Sequence, residues 1–122
     1  MTKREAASGA VRNNREGKGR YDLLPPRALH EVAVHFEGGA TQHGDRNWEK
    51  GQPLSWFLDS AMRHSFQALA GDTTENHPAA AAWNWLCFME TKARIKAGLL
   101  PAELDDLPKS APAVTTGNGA AR

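Results

Sequence analysis

The chain has 122 residues, a formal net charge of +1, a single cysteine and 40% hydrophobic residues. That length buries one modest core, and the near-neutral balance argues against a dedicated nucleic-acid binder, which gathers Lys and Arg on one face. No apolar run approaches the ~18 residues of a membrane span and no apolar signal stretch opens the chain. Cys87, in the context WLCFM, reads as a small buried hydrophobe in a reducing, cytoplasmic setting.

Residues 1–18 read as a basic flexible arm. Through position 20 the chain holds Lys3, Arg4, Arg12, Arg15, Lys18 and Arg20 against Glu5 and Glu16, a balance of +4 that leaves −3 for the remainder. A helical domain over 19–108 follows. Pro25 and Pro26 suit the first turn of a helix and no later turn, so a helix is expected over about 25–42. Its apolar stripe is Leu29, Val32, Ala33, Phe36 and Ala40, with Glu31 and His35 as i,i+4 neighbours on the far face. Gly44 is the expected stop.

The next loop, HGDRNWEKGQP, is rich in turn formers, yet it also carries Arg46, Trp48 and Lys50, which turns do not need. Trp48 is either a lid folded back on the core or a surface for a flat ligand. Guanidinium and ammonium groups beside an indole suit the phosphates and base of a nucleotide.

A second helix is expected over 54–70, with the stripe Leu54, Phe57, Leu58, Ala61, Phe66, Ala68 and Leu69. His64 lies near its buried side, where a satisfied core histidine and a site residue are both admissible. Gly71 ends the pattern. The break DTTENH then holds Asp72, Glu75 and His77, three candidate metal ligands within six residues. Pro78 marks the entrance of a third helix, expected over 78–97 with the stripe Ala82, Trp83, Leu86, Met89, Ala93 and Leu99. The run of alanines allows a partner helix to approach closely, which suggests a homo-oligomer. Asn84, two turns after His77, needs partners for both amide and carbonyl, as a specificity device or a site residue. The stretch LLPAELDDLP is read as a short helix covering one end, and 109–122 as a disordered tail. No strand pattern is visible.

The chain lacks the GxxxxGK[ST] loop, GxGxxG, HExxH and CxxC pairs. What remains is a set of oxygen and imidazole groups at helix ends, a place where bundles build metal sites. Oxygen donors favour Mg²⁺ or Mn²⁺. The residues alone therefore describe an all-α protein, a small helical bundle with a candidate divalent-metal or nucleotide site.

The succession GRYDLLPPRAL, GGATQHGDRNWEKG, LDSAMRHSFQALAGD and HPAAAAWNWL resembles the phage and bacterial dATP/dGTP diphosphohydrolase N-terminal domain family, over about Gly19 to Met89. That resemblance implies kinship with MazG-like all-α pyrophosphohydrolases, which use Mg²⁺ to cleave nucleoside triphosphates to monophosphate and pyrophosphate. The ExxE and ExxD motifs of those enzymes are absent from this chain. By resemblance, Asp72, Glu31 and Glu75 would hold Mg²⁺ or Mn²⁺, Arg63, Arg46 and Lys50 would stabilise phosphate charge, and His77 or His64 would orient or deprotonate water. Asn84 would read a base edge or fix His77, Trp48 would stack on the base, and Asn47 completes the substrate-binding loop. His77, Asp72, His64 and Arg63 are expected to converge on one pocket, with His64 meeting Asn84 across the helix interface and with Arg46 and Trp48 against the polar cluster.

Two other readings compete. One is a helical binding or structural module whose polar residues only hold the bundle together. The other is a nucleic-acid accessory protein that uses the basic arm.

Overall fold

Two successive prolines fit a helix only at its entrance. In the computed structural model, which describes residues 2–109, Pro25 caps helix α1 (Pro26–His43) and Gly44 closes it at φ 92°. Helix α2 (Leu54–Leu69) follows a loop that contains a 3-10 turn at Asn47–Lys50. Helix α3 spans His77–Lys96. Both α2 and α3 end on a glycine of positive φ, Gly71 and Gly98. There Asp72 N–H reaches back to the Gln67 carbonyl and Leu99 N–H to that of Arg94. This reversal costs glycine little and other residues more. The three expected helices are present within a residue of their predicted bounds, and the fold is a small all-α bundle.

Although the sequence shows no strand pattern, the amino-terminal residues form a short two-stranded ribbon. Lys3–Glu5 (β1) pairs antiparallel with Val11–Asn13 (β2), setting Arg4 opposite Arg12. Every residue of both strands is exposed. A ribbon with water on both faces has no apolar alternation to read.

Contacts fix the helix directions. Glu31 meets Asn76 and Phe36 meets Trp83, so α1 and α3 run parallel. His64 meets His77 and Phe57 meets Trp83, so α2 runs antiparallel to α3. Trp83 joins all three helices, its ring 5.6 Å from that of His35, 5.9 Å from Phe36 and 6.1 Å from Phe57. The core is Leu54, Phe57 and Ala61 against Ala80, Ala81 and Cys87.

The buried face of α3 is not the predicted stripe. His77, Ala80, Ala81, Asn84, Cys87 and Thr91 face inward, while Leu86, Met89 and Leu99 are exposed. Small side chains let α2 come close, and close packing there excludes the larger ones. On α2, Phe66 and Leu69 are likewise exposed. On α1, His35 lies half-buried against Trp83 instead of on the far face.

The segment after α3 returns over the start of α2. Leu100 and Leu104 pack against Gly51, and the Asp106 carboxylate accepts hydrogen bonds from the Ser55 N–H (2.9 Å) and the Ser55 hydroxyl. The short helix expected here is a 3-10 turn, Ala102–Leu104. Apart from Lys109, the predicted tail lies outside the described residues. Among the described residues no helix is long and apolar enough to cross a membrane.

Candidate metal centre and adjoining cleft

The site grows out of the link between α2 and α3. Gly71 turns the chain back and Asp72 is pinned at once to Gln67. Its side chain then accepts from the Thr74 N–H at 2.9 Å and the Thr74 hydroxyl at 2.6 Å. These bonds hold the Asp72 carboxyl below the usual carboxylate range. Asn76 caps α3 through Ala79 N–H, and its amide donates to Glu31 Oε1 at 3.0 Å, tying α1 to the same corner.

The link folds back instead of making a simple reversal, so α3 starts beside His64, more than a turn short of the end of α2. The expected meeting of His64 with Asn84 therefore does not occur. His64 meets His77, the first residue of α3, with Nδ1 atoms 2.9 Å apart. Asn84 is buried two turns further along, donates to the Ala80 carbonyl, and borders a cleft with Gln52, Ser55, Asp59 and Ser60.

Glu75 closes a triangle. Its Oε1 lies 3.3 Å from His64 Nδ1 and 3.2 Å from His77 Nδ1. On the other side of the buried His77 ring, Nε2 lies 3.3 Å from Asp72 Oδ2 but outside hydrogen-bond geometry. Burial holds the pKa of His64 below its ordinary value, against the opposing pull of the Glu75 carboxylate; Arg63, His77 and His35 add to the lowering. A neutral His64 keeps a lone pair available. Two imidazole nitrogens and a carboxylate oxygen within reach of one point are a donor set that could hold a divalent metal ion.

Other expected participants stand apart from this triangle. Glu31 reaches it only through Asn76. Arg63 is exposed and donates to Ser60 Oγ at 3.2 Å. Lys50 is exposed and lines none of the three principal clefts among the described residues.

Arg46, Asn47 and Trp48 line a separate cleft of about 700 Å³ with Phe36, His43 and Trp83. Arg46 adopts the left-handed conformation, φ 57°, and pairs with Glu49 at 2.7 Å. Trp48 folds back on the bundle, 6.3 Å from Phe36, with the Arg94 guanidinium 5.7 Å above its ring. Neither residue leans on the histidine corner. A second cleft of about 800 Å³, bounded by Glu31, His35 and Asn76, shares Glu37, Gly39, His43 and Trp83 with the first and so extends it toward that corner. The sequence carried no signal for Arg94, which lies 46 positions beyond Trp48, and the phase assigned to α1 hid His35.

A family model described as dATP/dGTP diphosphohydrolase, N-terminal, matches residues 8–98. No curated protein and no solved structure matches the chain.

Proposed function

Because the chain belongs to the dATP/dGTP diphosphohydrolase N-terminal family, we propose that it is a metal-dependent cytoplasmic diphosphohydrolase that releases pyrophosphate from a purine deoxynucleoside triphosphate. The observation that carries this reading is the convergence of His64, Glu75 and His77 on one point, beside Asn76, which lines the second cleft. In this reading the base lies beside Trp48, where Asn47 offers hydrogen bonds and Arg46 a cation at the rim. The triphosphate runs along the second cleft toward Asn76. Glu31 and Glu37 line that path and would repel an anion unless a cation stood between them.

His64, His77 and Glu75 would hold the metal ion, which would supply charge neutralisation and a more acidic water. Asp72 holds the His77 ring in position from behind. Water oxygen forms the new bond to the α-phosphorus, the bond to the bridging oxygen breaks, and pyrophosphate leaves. A carboxylate or imidazole at the corner accepts the proton of the water.

The same reading makes the chain a homo-oligomer. None of the 18 residues of α1 is buried, so that helix has apolar surface which a second copy can cover.

The test is incubation of the chain with each deoxy- and ribonucleoside triphosphate and Mg²⁺ or Mn²⁺, scoring pyrophosphate against orthophosphate. Pyrophosphate and monophosphate in equal amounts from dATP or dGTP, lost in Glu75→Gln, are expected. No pyrophosphate from any triphosphate would remove the enzyme reading and leave the structural module.

A further inference from the structure

At the start of α3 three potential donor atoms crowd one point, and a single hydrogen bond between the two rings engages only two of them. His64 Nδ1, His77 Nδ1 and Glu75 Oε1 lie 2.9, 3.2 and 3.3 Å apart. A proton between the two rings makes one N–H···N bond at 2.9 Å and leaves Glu75 Oε1, 3.2 and 3.3 Å away, outside hydrogen-bond geometry. A single cation equidistant from all three engages every one of them.

The spacing suits such a cation. Donors about 2.1 Å from a metal are about 3.0 Å apart at right angles and about 3.4 Å apart at the tetrahedral angle. The three observed separations lie at or between these values within a tenth of an ångström. The chemistry of the donors then selects the ion. Mg²⁺ takes oxygen ligands in near-ideal octahedral geometry and gives up water reluctantly, whereas two of these three donors are imidazole nitrogens. Imidazole suits Zn²⁺, Fe²⁺ and their neighbours, and two histidines with one carboxylate on a single face leave coordination positions open. The remaining groups fit the same assignment. Asp72 Oδ2 lies behind the buried His77 ring, 3.3 Å from the unpartnered Nε2. A proton on Nε2 leaves the Nδ1 lone pair for the triangle, and the Asp72 carboxylate on that side favours this tautomer by its charge, although the pair falls short of hydrogen-bond geometry. On the open side Glu75 is largely exposed, which admits water or a phosphate oxygen.

We propose that His64 Nδ1, His77 Nδ1 and Glu75 Oε1 form a site for a first-row transition dication, in preference to Mg²⁺, and that Asp72 is the positioning residue for His77. This deepens the proposed function and rests on that reading only for its catalytic meaning. Asp72 and Glu31 are then not ligands, in contrast to the sequence expectation. Asp72 orients a ligand, and Glu31 fixes the loop through Asn76.

CoCl₂, MnCl₂ and MgCl₂ are titrated separately into the full chain, following visible absorption for cobalt and heat of binding for all three. One Co²⁺ per chain with visible bands is expected, and Mn²⁺ bound at least about tenfold more tightly than Mg²⁺. Glu75→Gln and His64→Gln should each weaken Co²⁺ binding at least about tenfold, and Asp72→Asn by about 10–100-fold. His77→Ala also removes a core side chain, so the half-exposed Glu75 carries the test, its variant keeping the metal-free melting temperature of the parent. Absence of saturable Co²⁺ and Mn²⁺ binding, Mg²⁺ binding as tight as Mn²⁺, or unchanged Co²⁺ affinity in Glu75→Gln and His64→Gln would each overturn the site. Metal binding in the expected pattern without pyrophosphate release keeps the site and removes the proposed reaction. Pyrophosphate release with Mg²⁺ that is indifferent to Glu75→Gln, together with unchanged Co²⁺ affinity in that variant, overturns the site and keeps the reaction.

Discussion

Cys87 lies on the α3 face that meets α2 and is fully buried. Burial pushes its thiol up to about 12, because a thiolate there would lose its water. Thiolate is the reactive form, so a disulfide reagent near pH 8 should leave the folded chain unlabelled and label it fully in denaturant. Rapid labelling of the native protein would contradict the packing of α2 on α3. His77 is equally enclosed but polar on both sides of its ring. Its replacement by alanine opens a cavity and leaves His64 without its neighbour, so denaturant melts should record a loss of about 2–3 kcal/mol. A loss of activity in His77→Ala is therefore not by itself a measure of catalysis. Asp72→Asn and Glu75→Gln, at more exposed positions, report on the site more cleanly.

The start of α2 has no capping side chain of its own, since Pro53 precedes it. Asp106 supplies the cap from beyond α3, and the Ser55 hydroxyl and N–H hold its carboxyl below the ordinary 3.8. A carboxyl depressed in the folded state binds its proton less readily there than in the unfolded chain. Its contribution to stability is thus present above about pH 3.8 and disappears as the pH falls through the lower, folded value. Asp106→Ala should melt below the parent at neutral pH, and the gap between the two should close over that acid range. Equal melting temperatures at neutral pH would show the cap to be without effect. Gly51 anchors the other half of this contact. At φ 101° any side chain is strained, and a Cβ there would lie 2.7 Å from Leu104 Cδ1. Gly51→Ala should cost about 1–3 kcal/mol in denaturant melts, with an unchanged midpoint as the contrary result.

For the molecule as a whole, the amount of uncovered apolar surface matters most. Trp85, Leu86 and Met89 on α3 and Phe66 and Leu69 on α2 are exposed, while α1 buries nothing completely. Where such residues join into one patch they offer a face to a partner. Light scattering on the eluting protein should give a multiple of the monomer mass. The double change Leu86→Glu and Met89→Glu should reduce it to one copy while helical circular dichroism is kept. A wild-type chain that elutes as a monomer would count against self-association.

The three helices and their ends were legible in the sequence because the signals are local. Pro25–Pro26, Gly44, Gly71, Asn76–Pro78 and Gly98 act through φ and through a missing N–H, within a turn of where they stand. The burial of Cys87 was legible for a similar reason, as its neighbours are apolar. The face of α3 that meets α2 was not, because two stripes share that helix. Periodicity selects the more hydrophobic one, through Leu86 and Met89, whereas packing selects the smaller one, through Ala80, Asn84 and Cys87. Hydrophobicity is a property of each residue, but the room for a side chain depends on how near the opposite helix comes. The candidate site divides in the same way. Asp72, Glu75 and His77 stand together in the chain and could be read as a group. That His64 completes the triangle depends on the link folding back far enough to start α3 beside it. Likewise Trp48 acquires Arg94 only because α3 passes the 46–50 loop. Such pairings are set by where helices begin relative to one another, and no spacing along a single helix encodes that distance.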